Sequence, residues 1–211
     1  WGGGESPTLR GIVDRDAIVL GGSCFGIVGN KKRLISEQKL KVGDALILIK
    51  SSGPNANAIS LIRAVAKKLK RGYLTSLSDG TLFGEEVLAK TNIYSRVVKD
   101  LLDQGVDIHY ITNITGHGFR KVMRATREFT YLIKKIFEPQ ELFELIQKTT
   151  NLSDKEMYAT FNMGQDYAIF VPQKDVSRTL QIIRKNQFKA INAGIVEKGK
   201  KQVIIKPKNI V

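Results

Sequence analysis

Asn113-Ile114-Thr115-Gly116-His117-Gly118 is the stretch of this 211-residue chain whose residue types are best suited to hold an anion. Glycine lets the backbone approach a ligand with no Cβ in the way. Unpaired N–H groups at a helix start favour negative charge. Thr115, Gly116 and Gly118 would supply such donors for a phosphate, and Arg120, Lys121 and Arg124 follow them directly. His117 would add an imidazole whose protonation in mild acid strengthens the grip. The bland alternative is a tight connection with His117 facing solvent. A second turn of the same kind is Ser51-Ser52-Gly53-Pro54-Asn55-Ala56-Asn57, where two hydroxyls and a glycine amide precede a helix. Asn57 either hydrogen-bonds a substrate or caps that helix. Asn162, between Phe161 and Met163, either orients a cleft or closes a turn. Donors of this kind suit phosphoryl chemistry, which is mostly positioning and stabilisation of spread negative charge.

The elements that must position these residues can be read from periodicity. His109 to Ile114 alternates as a strand, and Phe119, Val122 and Met123 fall at helical spacing after the glycines. Ala45 to Ile49 is a short apolar strand. Ala58, Leu61, Ile62, Val65, Ala66 and Leu69 form the stripe of an amphipathic helix after Asn57. Gly72 to Gly84 reads as a loop. Ile93, Tyr94, Val97, Val98, Leu101 and Leu102 lie on one helix face, with Gly105 as its stop. Pro139 opens another helix in its first turn, with Leu142, Phe143 and Ile146 inward. Ser153-Asp154-Lys155-Glu156 has the form of a capping box. Asp166 to Val171 reads as a strand, Lys174 to Asn186 as a helix, and Lys189 to Val196 and Gln202 to Lys206 as closing strands. Ala17 to Val28, apolar with embedded glycines, reads as a buried strand whose partners lie elsewhere. Interleaved strands and helices make the class α/β or α+β, a mixed sheet flanked by helices.

Composition narrows the function classes. With 42% hydrophobic and 26% charged residues, the chain has the profile of a globular protein with a full core. It contains no apolar run of the roughly 18 residues that span a membrane, and no recognisable signal peptide, so a cytoplasmic protein is expected. Cys24, the single cysteine, excludes an internal disulfide and reads as a small core residue. Thirty-four Lys and Arg against twenty Asp and Glu leave a net charge of +14. The basic residues are scattered in short clusters, with no zinc-finger spacing, RNP-like motif or basic zipper beside them. A solvated surface, or attraction of phosphorylated small molecules, accounts for the excess at least as well as nucleic-acid binding.

Five segments in order resemble the C-terminal half of aminoimidazole ribonucleotide synthetase, the phosphoribosylformylglycinamidine cyclo-ligase family. Gly3-Gly4-Glu5-Ser6 is similar to the family's Gly-Gly-Glu-Thr. Val42 to Ile47, running through Ser51-Ser52-Gly53 to Asn57, is similar to its Gly-Asp-Val-Leu-Ile and Ser-Ser-Gly…Ser-Asn segment. Thr91-Asn92-Ile93-Tyr94 resembles Thr-Arg-Ile-Tyr, and Ile114 to Gly118 resembles Ile-Thr-Gly-Gly-Gly. Glu156 to Gly164 matches Glu-Met-Tyr-Arg-Thr-Phe-Asn-Met-Gly almost letter for letter. The chain departs from the pattern at Asn55 and Asn113, where the family often has His, at Ala58 and His117, where it has Gly, and at Thr8, where Glu is usual.

The resemblance implies a two-domain, ATP-dependent enzyme of purine synthesis. Its N-terminal domain would carry most contacts to ATP and magnesium and build a homodimer. The C-terminal domain would close the cleft with its glycine turns. The chain opens on Trp1 rather than methionine. Residues 1–36 are accordingly expected to be the tail of a missing N-terminal domain plus a connector, and residues 37–211 the C-terminal domain. Gly4 and Glu5 are then candidates for a polar or metal contact in the cleft, although an exposed carboxylate there could equally do nothing. Met157, Tyr158 and Phe161 are expected in the core, and His109 in a structural role. The function classes in view are a cyclo-ligase or kinase-like half-enzyme, a silent relative that binds a phosphorylated metabolite, and a basic nucleic-acid-binding module.

Overall fold

The computed structural model describes residues 13–14 and 16–211. Gly4, Glu5 and Thr8 lie outside them. The chain divides into two units, residues 1–34 and 35–211.

In the first unit, Lys31–Arg33 forms a 3-10 turn. Residues 17–28 belong to no helix or strand, and Ile18, Leu20, Phe25 and Ile27 are exposed. This corrects the strand expected there. An apolar run with Gly21, Gly22 and Gly26 gains little from extending unless a neighbouring strand accepts its hydrogen bonds, and no described strand pairs with it. Cys24 is exposed as well, not a core residue.

The second unit is built on one strand, β1 (Ala45–Lys50), whose residues 45–49 are all fully buried. Leu46 and Leu48 enter one core, while Ala45, Ile47 and Ile49 enter another. A strand covered on both faces reads as a continuous apolar run, as this one does. The chain continues through α1 (Ile59–Lys68), α2 (Phe83–Val87), α3 (Ser95–Asp103), β2 (Tyr110–Asn113), a 3-10 segment Gly118–Met123 and β3 (Phe129–Ile133). It ends with α4 (Glu141–Thr150), α5 (Asp154–Thr160), β4 (Gln165–Val171), α6 (Val176–Lys185), β5 (Ala190–Lys198) and β6 (Gln202–Ile205). The six strands form one sheet in the order β2-β4-β1-β5-β3-β6. Every pairing is antiparallel except β3 with β6, so the sheet is mixed, as expected.

Helices α1, α4 and α5 pack on one face around Phe143, Tyr158, Phe161 and Phe170. Helices α3 and α6 cover the central strands from the other, through Val97, Leu101, Ile182 and Ile183. Met157, Tyr158 and Phe161 are buried as anticipated. At α5, the Ser153 side chain accepts from the Glu156 amide, and Glu156 accepts from the Ser153 amide at 2.8 Å, completing the capping box. His109 is also structural. It is 4% exposed, with Nδ1 2.8 Å from Asp44 Oδ2 and Nε2 3.1 Å from Asp107 Oδ2.

Other expectations need correction. The segment 72–84 is not a plain loop, because Gly72–Leu74 forms a 3-10 turn and α2 opens at Phe83. Ile93 is 72% exposed because α3 begins two residues later, at Ser95, so the side chain falls off its inward face. Pro139 precedes the N-cap Gln140 and lies outside α4. The turns after Gly116 are 3-10 rather than α-helical.

Candidate functional site

Register places a carboxylate where a regular strand would not. β1 and β4 pair in step from Ala45↔Val171 to Ile49↔Tyr167, and then Lys50 faces Gln165. Asp166 is the extra residue of this bulge, and a bulge commonly re-aims a side chain at the rim of a site. Its main-chain oxygen still accepts from the Ile114 amide at 2.8 Å, which ties β4 to the turn after β2.

A cleft of about 570 Å³ opens at this end of the sheet. The turn leading into α1 contributes Asn55 and Asn57, and the segment before α3 contributes Thr91, Asn92 and Tyr94. Asn113, Thr115 and Gly116 line it from the turn after β2, with Asp166 and Tyr167 from β4. Among the described residues, no lysine or arginine lines it. A neighbouring groove of about 430 Å³ shares Asn113 and Tyr167 and is edged by Arg124.

Asp166 is 3% exposed. Its Oδ1 accepts from the Tyr94 hydroxyl and its Oδ2 from Asn55 Nδ2 at 3.0 Å. Asn92 Nδ2 in turn donates to the Tyr94 oxygen at 3.0 Å and to the Lys50 carbonyl at 3.3 Å. Burial pushes the Asp166 carboxyl above its ordinary range, and the bonds from Tyr94 and Asn55 offset only part of that. Burial, together with the Asp166 charge, also pushes the Tyr94 phenol up, so it remains a donor. The Tyr94 ring stacks on Tyr167 with centroids 4.5 Å apart. Two polar atoms in this cleft are buried with no protein partner, Asn55 Oδ1 and Asn57 Nδ2. Asn57 is 3% exposed. It does not cap α1, because Ala58 occupies the N-cap and no side chain caps it.

A raised carboxyl holds its proton more tightly in the folded chain than in the unfolded one. Its contribution to stability is therefore complete below the unfolded pKa and is lost as pH rises through the folded one. Asp166→Asn removes that titration. The variant is expected to gain stability over the parent as pH rises from 4.5 to 8, read as the difference in urea unfolding free energy. A difference that is flat or shrinks with pH would overturn this account.

Of the residues expected from the sequence to bind phosphate or substrate, three line the cleft: Asn57, Thr115 and Gly116. Ser51 is buried, its carbonyl and hydroxyl oxygens accepting from Gln140 Nε2 at 2.9 and 3.3 Å. Ser52 Oγ donates to the Lys90 carbonyl at 2.7 Å. Gly53 is close-packed, since a Cβ there would lie 2.9 Å from Ala89 Cβ. Asn162 is fully buried. Its Nδ2 donates to the Gly53 carbonyl at 2.9 Å and its Oδ1 accepts from the Gly164 amide at 3.2 Å. His117 is exposed with φ +76°. Gly118 differs from the free anion donor expected, because its N–H is spent on the Thr115 carbonyl at 2.7 Å. The residues missed were Tyr94 and Asn92, read as helix and motif, and Asp166, read as an ordinary strand start. The available signal was a carboxylate beginning an otherwise apolar strand.

The fold belongs to a known class. The family described as AIR synthase related protein, C-terminal domain, matches residues 41–206. The chain belongs to that family. The phosphoribosylformylglycinamidine cyclo-ligase of Methanocaldococcus jannaschii is 34% identical over 190 residues, covering 89% of this chain and 53% of that protein. Its counterpart from Methanococcoides burtonii is 35% identical over 185 residues, covering 85% and 53%. The chain thus spans about half the length of these curated relatives. Among solved structures, hydrogenase maturation protein HypE superposes with a TM-score of 0.54 at 16% identity, over 82% of this chain and 52% of that one. A HypE structure in complex with ATP superposes equally well, with a TM-score of 0.54 at 16% identity over 81% of this chain and 49% of that one. At such identity the likeness is one of fold.

Proposed function

We propose that residues 37–211 are the C-terminal domain of an ATP-dependent cyclo-ligase-like enzyme of purine nucleotide biosynthesis, and that the cleft described above binds its phosphorylated small-molecule substrate. The observation that carries this reading is the convergence of three family-like segments, 55–57, 91–94 and 113–116, on one cleft. Arg124, at the edge of the adjoining groove, would draw the phosphate, while the cleft takes the rest of the molecule. Overall charge would assist encounter.

ATP and magnesium would be held mainly by an N-terminal domain, with residues 1–36 as its tail and connector, in a cytoplasmic homodimer. Among the described residues no group of three or more metal-ligating side chains gathers, and no helix is long and apolar enough to cross a membrane. This chain would supply the wall that positions substrate. A second reading, a relative with a different substrate or none of the chemistry, draws on Asn55 and Asn113. Both line the cleft where the family often has imidazoles, so two groups able to move protons are replaced by amides that cannot.

Titrating the chain with formylglycinamidine ribonucleotide and following amide NMR signals tests the proposal. Shifts confined to residues 55–57, 91–94, 113–116 and 124 are the expected result. A titration that leaves all of them unmoved would refute it.

A further inference from the structure

We infer that a second pocket, between the 3-10 segment Gly118–Met123, α5 and β6, binds a small amphipathic anion, a carboxylate carried on an apolar body the size of one aromatic ring. This pocket shares no lining residue with the cleft described above and does not rest on how that cleft is read. It holds about 150 Å³, and a dry apolar cavity of about that size accepts benzene. Its body is apolar. Phe119 and Met123 come from the 3-10 segment, Tyr158 from α5, and Val203 and Ile205 from β6. Phe119 and Tyr158 pack ring against ring with centroids 5.2 Å apart, and both belong to the main core. That wall is therefore in place before any ligand arrives.

Charge decides what that apolar body must carry. Three cations line the same pocket, Arg120 from the 3-10 segment, Lys155 from α5 and Lys201 from the turn before β6. Among the described residues no acidic side chain lines it. All three cations are exposed, and none has an ion pair among the described residues. Other lysines of this unit do pair, Lys99 with Asp103, Lys148 with Glu144 and Lys208 with Asp154. Glu37 lies close enough to Lys201 for their charges to interact, but Thr126 holds its carboxylate and it does not line the pocket. A neutral hydrocarbon would leave the three charges unmet, and a bare inorganic anion would leave the apolar space unfilled. A carboxylate joined to one ring answers both. The volume admits that ring and is too small for an acyl chain of lipid length.

The test uses the whole chain and three probes, 4-methylbenzoate, 4-methylbenzamide and acetate, titrated at pH 7.5 and low salt while the NMR signals of Met123, Val203 and Ile205 are followed. 4-Methylbenzoate is expected to move these signals and to bind roughly tenfold more tightly than the amide, the combined effect of three exposed charge contacts. Benzoate, one methyl smaller, should bind roughly fourfold more weakly. Salt screens exposed charges, so at about 0.5 M the acid and the amide should bind alike. Acetate should leave the signals unmoved. Arg120→Gln combined with Lys155→Gln removes two exposed charges without touching the core. It should cut the preference for the acid to roughly twofold and leave amide binding unchanged. A tenfold preference that survives in this variant would overturn the inference. So would an amide that binds as tightly as the acid at low salt, which would leave only an apolar void. Acetate moving the same signals as strongly would reduce the site to loose attraction of anions by surface lysines. Signals that stay still with every probe, or shifts that fall at residues 55–57 and 113–116 instead, would equally remove the site.

Discussion

Gly118→Ala is expected to destabilise the second unit by about 3 kcal/mol or more, enough to bring a typical domain close to unfolding. A Cβ at this position would lie 2.2 Å from the Tyr158 carbonyl oxygen and 2.8 Å from that of Phe161. Neither oxygen can retreat cheaply, because Met157, Tyr158 and Phe161 are locked in the core. The backbone also sits at φ +54°, which alanine adopts only under strain. Gly116 is the control in the same turn, since a Cβ there meets nothing within 4 Å. Gly116→Ala should change stability by less than about 0.5 kcal/mol. Urea unfolding of both variants checks the pair. A loss below about 1 kcal/mol for Gly118→Ala would show that α5 yields, and that close packing does not explain this glycine.

The same turn shows what was legible in the residues and what was not. Two glycines before a helical pattern suggested backbone freedom for a ligand, yet the two serve different ends. Gly116 faces the cleft, and Gly118 admits the end of α5. Only a tertiary contact distinguishes them, so no local pattern could. The capping box at Ser153 and the doubly buried β1 were readable because both are local signatures. β3 was missed, although Phe129 to Ile133 is entirely buried, because the run is too short to reveal a period. Ala17 to Val28 was misread for the opposite reason, since apolar character alone was taken for a strand without a partner to pair with.

At the cleft, the motif segments mark turns that the fold brings together, but several of their side chains are engaged within the protein. Ser51, Ser52 and Asn162 resemble phosphate or substrate donors in sequence, and in the fold their side chains bind the protein itself. Asn55 stood out only as a departure from a family pattern. Its pairing with Asp166 spans 111 residues and depends on a bulge that no periodicity announces.

Asn162→Asp should be the most damaging near-isosteric change in the chain, costing about 3–5 kcal/mol at pH 8. Asn162 joins two turns in a fully buried position, donating to the Gly53 carbonyl and accepting from the Gly164 amide. A carboxylate keeps the bond from Gly164 but sets a negative oxygen against the Gly53 carbonyl oxygen in a site closed to water. The protonated acid escapes this conflict, because its O–H donates to Gly53 as the amide did. The introduced carboxyl is therefore more basic in the folded chain than in the unfolded one, where about 3.9 is ordinary. By linkage, the variant is nearest to the parent below that value and loses stability as pH rises through its folded pKa. Urea unfolding of parent and variant at pH 4.5 and pH 8 separates this cause from simple misfit. The gap should widen by more than about 1.4 kcal/mol, tenfold in the unfolding constant, between the two conditions. A gap that is large but equal at both would assign the damage to shape instead of charge, and the Gly53 contact would lose its role in holding the 51–53 turn.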